Sequence, residues 1–218
     1  QSVLEARAFD NIYRHFDIVA LREGQSYALY RSIGIGEPLL CPDLAFRARP
    51  AIGARHDADA PYFCVTGSAA MDEYDLGAYA VLIRDLAATT GLRPLLLYSK
   101  QDDSRLMAAM AEALPVGSYA AVNSKCMATY DGILPILRDA RFVIGGRYHT
   151  AVTALAQATP VILLPANTHK NEGLATMLGI ELPVHGLADR RAILAEAAAL
   201  MQPGNGRADA IRGALDTV

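Results

Sequence analysis

The stretch from residue 141 to residue 165, Arg-Phe-Val-Ile-Gly-Gly-Arg-Tyr-His-Thr-Ala-Val-Thr-Ala-Leu-Ala-Gln-Ala-Thr-Pro-Val-Ile-Leu-Leu-Pro, leaves little choice of fold. Phe142 to Ile144 is a short apolar β run, and Gly145-Gly146 permits a sharp turn at positive φ. Tyr148, Ala151, Val152, Leu155 and Ala158 then recur at helical spacing. Thr159-Pro160 stops that helix, and Val161 to Leu164 reads as a second buried strand. Strand, helix and parallel strand make a βαβ unit, whose crossover is right-handed almost without exception.

The charges in this unit are oddly placed. Arg147 and His149 stand just after the glycine turn, at the positive end of a helix whose first amides lack partners. Cations are disfavoured there unless an anion joins them. One reading is a solvated arginine and a histidine bonded to a neighbouring carbonyl. The other is an anion site at the carboxyl end of a strand, where open α/β sheets bind their ligands. Two basic groups beside Gly-Gly favour the second.

The chain has 218 residues, of which 52% are hydrophobic and 20% charged, so a large core is available and global disorder is not expected. A net charge of -3 gives no overall basic field to draw nucleic acid or anionic lipid. No apolar run is long enough to span a bilayer. Cys41, Cys64 and Cys126 are scattered and odd in number, which suits reduced core thiols in a cytoplasm better than a disulfide framework or a zinc site. His15, His56 and His185 have no partner at ligand spacing, so no metal is expected.

Residues 4–15 read as a helix with Leu4, Ala8, Ile12 and Phe16 on one face, and Asp17 to Leu21 as a buried strand. A helix carrying Tyr27, Leu29, Tyr30 and Ile33 then ends at Gly34. These pieces leave apolar edges uncovered, so residues 1–47 read as the end of an amino-terminal α/β domain whose earlier strands precede Gln1. Residues 48–61, without periodicity and rich in Arg, Ala, Gly and Asp, read as a linker. From residue 62 to 218 a regular alternation sets in. Strands are expected at 62–66, 94–99, 119–123, 142–145, 160–164 and weakly at 182–185. Helices are expected at 72–90, 103–114, 130–139, 148–158, 171–178, 189–201 and 206–215. This order predicts a doubly wound parallel Rossmann-like sheet with helices on both faces.

Other strand ends carry polar residues. In Asn167-Thr168-His169-Lys170-Asn171-Glu172-Gly173, Asn167 or Thr168 is placed to cap a helix, and His169 reads as a surface or capping residue. Lys170 opposes the helix dipole as Arg147 does, and is either a solvated charge or part of one anion pocket with Arg147 and His149. Arg22, Glu23 and Ser26 occupy a third strand-to-helix turn. There Arg22 and Glu23 form a surface pair, or Arg22 and Ser26 face a cleft and grip an anion. Thr66-Gly67-Ser68 and Ser99-Lys100-Gln101-Asp102 are further candidates for lining such a cleft. No G-x-S-x-G elbow, phosphate-binding P-loop or G-x-G-x-x-G turn is present, which removes serine-hydrolase, kinase and dinucleotide-dehydrogenase readings.

Several blocks together resemble the polysaccharide pyruvyltransferase family: Val19-Ala-Leu-Arg-Glu-Gly-Gln-Ser, Pro42-Asp-Leu-Ala-Phe, Ile144-Gly-Gly-Arg-Tyr-His-Thr-Ala-Val-Thr-Ala-Leu, Thr159-Pro-Val-Ile, Lys170 and Leu178-Gly179. The resemblance runs from about residue 17 to about residue 180. It implies a GT-B-like architecture of two Rossmann-like domains facing a cleft, with most of the amino-terminal one outside this chain. It also implies transfer of pyruvate from phosphoenolpyruvate to a pair of sugar hydroxyls as a ketal, in cell-surface or exopolysaccharide biosynthesis, with no cofactor beyond the donor. The acceptor implied is a glycan or lipid-linked sugar, met in the cytoplasm or peripherally at the membrane. Arg147 and His149 become the expected catalytic pair. Arg22, Glu23, Ser26, Lys170, Gly145, Gly146 and Glu172 are expected around the substrates, with Glu23 or Glu172 considered for the hydroxyl proton. The competing functions are a GT-B glycosyltransferase or sugar-nucleotide epimerase, and a non-catalytic domain that binds a glycan or a protein.

Overall fold

The computed structural model describes residues 8, 10–34, 36–48, 56, 58–68, 70, 75–98, 103–122 and 129–217. In its first part, strand β1 (Ala20–Leu21), helix α1 (Gly24–Ile33) and strand β2 (Leu39–Leu40) form a small parallel βαβ unit, followed by a 3-10 turn at Leu44–Arg47. The helix ends at Gly34 in the left-handed conformation, as its sequence demands. The expected buried strand at 17–21 is corrected. Only Ala20 and Leu21 pair, and Ile18, Leu39 and Leu40 stand exposed although α1 packs on the ribbon. Of the expected first helix, residues 8 and 10–13 are helical, with Ile12 and Phe16 exposed; residues 1–7 and 9 lie outside the described residues.

The second part alternates as its periodicity predicts. In order come β3 (Tyr62–Ser68), α2 (Leu76–Thr90), β4 (Arg93–Leu97), α3 (Asp103–Ala113), β5 (Ala120–Val122), α4 (Tyr130–Asp139), β6 (Val143–Gly146), α5 (Tyr148–Leu155), β7 (Val161–Leu163), α6 (Lys170–Leu178), α7 (Arg190–Leu200) and α8 (Arg207–Leu215). The sheet is parallel throughout, in the order β5-β4-β3-β6-β7. The weak strand at 182–185 reduces to one bridge between Val184 and Leu163. Helix α5 stops at Leu155 and not at 158, because Ala158 turns left-handed and Thr159 donates its hydroxyl to Leu137 O. Most of the expected linker lies outside the described residues, as do Ser99 to Asp102 and Cys126.

Alternation along β3 divides the core. Tyr62 and Cys64 face α4, α5, α6 and α8, whereas Phe63 and Val65 face α2, α3 and α7. All seven residues of β3 are buried, so neither face of the sheet is left to water. Phe63 stacks on Phe142 at 4.9 Å between ring centroids. Burial pushes the Cys64 thiol far above its ordinary range, in keeping with a core role. The chain starts its sheet at β3, builds outward through β4 and β5, then returns to place β6 on the other side of β3. That reversal opens a crevice at the carboxyl ends of the strands.

The glycines at the end of β6 make this packing possible. A Cβ on Gly145 (φ 151°) would stand 2.6 Å from Thr66 O, and one on Gly146 would stand 2.7 Å from Ser68 Cβ. Ser68 in turn donates its hydroxyl to Pro165 O at 2.8 Å, tying the ends of β3 and β7 across the glycines.

The first part docks onto the second through Glu23 and the 3-10 turn. Ala45 and Phe46 insert into the core beside Val152 and Leu155, and Gln157 Nε2 donates to Ala48 O at 3.1 Å. Glu23 is 2% exposed. It caps α1 by accepting from the Gln25 amide at 2.8 Å and the Ser26 amide at 2.7 Å. The same carboxylate meets His169 Nε2 at 3.3 Å at the start of α6. Gly173 leaves room for it, since a Cβ there would lie 2.8 Å from Glu23 Oε2. Burial pushes the Glu23 carboxyl up, but the hydrogen bonds from Ser26 and Gln25 and the nearby His169 outweigh it and hold the group below the usual range.

Gly146→Ala destabilises by about 2–3 kcal/mol in urea unfolding, because backbone and a short side chain must shift. Gly24→Ala, where a Cβ meets nothing within 4 Å, stays within about 0.5 kcal/mol. Because its folded value is depressed, ionised Glu23 contributes stability that is present above the unfolded carboxyl value and lost as pH falls through the folded one. The stability difference between wild type and Glu23→Gln is therefore largest near neutrality and shrinks on acidification below about pH 4.5.

Candidate functional site

Helix α5 begins two residues beyond the close-packed glycines, so its first turn opens at the crevice and carries its basic residues with it. Arg147 occupies the N-cap with extended backbone. The free amides of the first turn and the helix dipole make this end electropositive. A cavity of about 510 Å³ lies against it, lined by Arg22, Gly146, Arg147, Tyr148, His149, Thr153 and Lys170, with Ile133 and Leu137 supplying an apolar wall. Four basic side chains from three separate strand-to-helix turns thus share one space.

Arg22 reaches the cavity from the end of β1. Its Nη1 donates to Asp43 Oδ2 at 2.7 Å and approaches His149 Nε2 at 3.1 Å. The guanidinium carbon lies 4.6 Å from the centroid of the Tyr148 ring, in cation–π contact. His149 is largely exposed, and its Nε2 is 3.8 Å from Asp43 Oδ2. Burial raises the Tyr148 phenol to about 12, against the lowering effect of Arg22, so the ring stays neutral beneath the guanidinium. Thr153 donates its hydroxyl to His149 O at 2.6 Å, which steadies the first turn of α5.

The expected site residues separate into three groups. Arg22, Gly146, Arg147, His149 and Lys170 line the cavity. Gly145, Glu23 and Ser26 stand behind it. Gly145 packs on Thr66, and Glu23 is the buried cap described above with Ser26 as its donor; neither Glu23 nor Ser26 lines the cavity. Glu172 is exposed in the first turn of α6, where it complements the helix dipole, and it too lies off the cavity lining. Asn167 does line the cavity but caps nothing. Helix α6 starts at Lys170 with His169 at the N-cap position and no side-chain cap, because the His169 ring turns to Glu23. Thr66 and Ser68 are buried, and Ser68 ties the ends of β3 and β7 together through Pro165.

Asp43 and Tyr148 were not expected as site residues. Asp43 carried a faint signal as the polar residue opening a short turn; it caps that turn through Ala45 N at 2.9 Å. Tyr148 reads as one more apolar position of α5, and only the fold puts Arg22 over its ring. Asn171 is fully buried and donates to Leu164 O at 2.7 Å, tying α6 to the end of β7. His185 meets Glu196 at 2.7 Å, and His56 packs edge-on against Tyr62. Among the described residues no group of three or more His, Cys, Asp or Glu is placed to hold a metal ion, and no helix is long and apolar enough to cross a membrane.

Comparison with solved structures matches the same architecture. Trehalose-6-phosphate synthase OtsA superposes with a TM-score of 0.61 at 10% identity, over 96% of this chain and 58% of that one. The pneumococcal O-GlcNAc transferase GtfA, solved with UDP and GlcNAc, gives 0.57 at 13% identity, over 96% and 45%. Spinosyn rhamnosyltransferase SpnG gives 0.50 at 22% identity, over 77% and 43%. At these identities the likeness is one of fold, that of the Rossmann-like domains of GT-B glycosyltransferases. The chain spans roughly half the length of the structures it matches. No curated protein matches the sequence significantly. A family model described as polysaccharide pyruvyl transferase matches residues 1–167, a span that includes Arg22, Asp43 and the whole first turn of α5. With most of its length inside that match, the chain belongs to the polysaccharide pyruvyl transferase family.

Proposed function

We propose that this chain holds the donor site of a pyruvyltransferase that takes pyruvate from phosphoenolpyruvate and fixes it as a ketal on two hydroxyls of a sugar. The observation that carries this reading is the convergence of Arg22, Arg147, His149 and Lys170 on one cavity at the amino end of α5. Phosphoenolpyruvate presents a phosphate and a carboxylate within one small molecule, and such a ligand needs several cations and free amides at short range. Arg147 and Arg22 have the forked geometry that suits either oxyanion, and Lys170 supplies a point charge. Charge-assisted hydrogen bonds are worth about 1.5–3 kcal/mol each, so three or four suffice for a metabolite-strength site.

The chemistry follows from the same groups. Protonated His149 delivers a proton to the methylene carbon, and C2 becomes electrophilic. One sugar hydroxyl adds to C2 and gives up its proton. The C2–O bond to phosphate then breaks, with the departing charge held by the arginines and Lys170, and the second hydroxyl closes the ketal with loss of its proton. The net change is donor plus diol to ketal plus inorganic phosphate. Histidine suits a proton-transfer role near neutral pH. The apolar wall of Ile133 and Leu137 keeps part of the cavity dry, which strengthens the ionic contacts. The acceptor is a glycan or lipid-linked sugar with two hydroxyls close enough to share one carbon.

Calorimetry on the chain separates this reading from a nucleotide-sugar enzyme. Phosphoenolpyruvate is expected to bind, to weaken as salt is raised, and to lose at least about tenfold in affinity in Arg147→Ala. His149→Ala is expected to keep the fold and to abolish phosphate release in the presence of an acceptor. Tight binding of uridine diphosphate that phosphoenolpyruvate does not displace would overturn the proposal.

A further inference from the structure

Asp43 poses a problem for an anion site. A carboxylate beside the cavity repels the ligand that the arginines attract, yet Asp43 sits with its side chain only 9% exposed directly against Arg22 and near His149. We infer that Asp43 is a positioning residue: it fixes the Arg22 guanidinium over the cavity and, through it, sets the proton arrangement of His149. The inference deepens the proposed function and rests on it for the identity of the ligand.

The fold brings the three residues together by construction. Strands β1 and β2 are parallel, with Leu21 opposite Leu40, so both chains leave the ribbon at the same end. Arg22 follows immediately, and Asp43 opens the 3-10 turn that carries Phe46 into the core against α5. Asp43 therefore contacts the first part of the chain through Arg22 and stands beside the first turn of α5, where His149 is. Arginine is long and flexible, and at an exposed position it would sample many rotamers. Here Asp43 takes one Nη1 hydrogen and His149 faces the other while the Tyr148 ring supports the guanidinium plane, which leaves the Nη2 and Nε donors of the fork for a ligand.

The consequence for His149 is chemical. Arginine only donates, so its Nη1 contact at 3.1 Å is a hydrogen bond only if Nε2 of His149 accepts. That contact therefore calls for the tautomer with its hydrogen on Nδ1 and Nε2 as the acceptor. When ligand oxygens draw the Arg22 fork toward the cavity, Nε2 is released, and Asp43 Oδ2, already 3.8 Å away, is the counter-charge for a ring that takes up a proton. The charged groups facing this ring are Arg22 from the β1 end, Asp43 from the 3-10 turn, and Arg147 and Lys170 around the shared cavity. Without Asp43, three fixed cations would oppose that proton uptake.

The test is Asp43→Asn, which keeps an oxygen to accept from Ala45 N and so preserves the turn. Two effects compete: loss of a negative charge tightens binding of any anion, and loss of positioning weakens a ligand that needs the fork held in place. Inorganic phosphate probes the first and phosphoenolpyruvate the second. The inference predicts that phosphoenolpyruvate weakens about tenfold in the variant while inorganic phosphate holds or tightens. It also predicts that nitrogen-15 spectra of the ligand-free wild type show His149 Nε2 unprotonated, and that this preference decays toward a mixture of tautomers in Asp43→Asn. Equal or tighter binding of both ligands by the variant, or a protonated Nε2 in the ligand-free wild type, would overturn it. If the wild-type chain does not take phosphoenolpyruvate at all, the functional reading fails. The nitrogen spectra of wild type and variant then decide the role of Asp43 by themselves.

Discussion

Two residues without side chains govern the architecture. Gly145 and Gly146 let β6 press against Thr66 and Ser68 of β3 on one side and the end of β7 on the other, at distances no Cβ would tolerate. That closeness sets where β6 ends and therefore where α5 begins. The amino end of α5 is thereby fixed beside the crevice created by the strand-order reversal. A bulkier turn would move the helix start outward and spread its charges into solvent. The site thus depends on an absence of atoms more than on any strong bond.

Around that helix start the molecule accepts an electrostatic cost. Arg147, His149, Lys170 and Arg22 crowd a positive helix end where nothing favours a cation in isolation. Two carboxylates manage the excess in different ways. Glu23, fully buried, spends its charge on the amides of α1 and on His169, and so locks the small βαβ unit to α6. Asp43, at the cavity's edge, answers Arg22 directly. The first holds the frame in register and the second leaves most of the arginine fork aimed outward. A cavity assembled this way gathers positive charge at one helix end, in a chain of the pyruvyl transferase family.

The sequence was most legible where periodicity speaks for itself. The alternation of strand and helix after residue 61, the helix at 130–139 and the glycine stop at Gly34 depend on nearest neighbours, and they stand where local chemistry puts them. Burial at the front was not legible: Asp17 to Leu21 has the composition of a buried strand, but what covers a strand is decided by elements elsewhere. Long-range pairing was equally silent. Arg22 and His149 lie 127 residues apart, and Glu23 and His169 lie 146 apart, so nothing in either neighbourhood announces the other. For the same reason Glu23 read as a surface or site carboxylate although it is an interior cap, and nothing near His169, read as a surface or capping residue, announced the contact its ring makes with Glu23 from the N-cap of α6. The basic residues after Gly-Gly were conspicuous because they break a local rule, and rule-breaking is visible without knowledge of the partner.

The most direct test of the central claim is a crystal structure of the chain grown with phosphoenolpyruvate. The account predicts difference density in the cavity at the amino end of α5, with phosphate and carboxylate oxygens within hydrogen-bonding distance of Arg22, Arg147 and Lys170 and the methylene carbon facing His149. Density for the donor anywhere else on the molecule, with those four side chains unmoved and the cavity filled only by water, would contradict it.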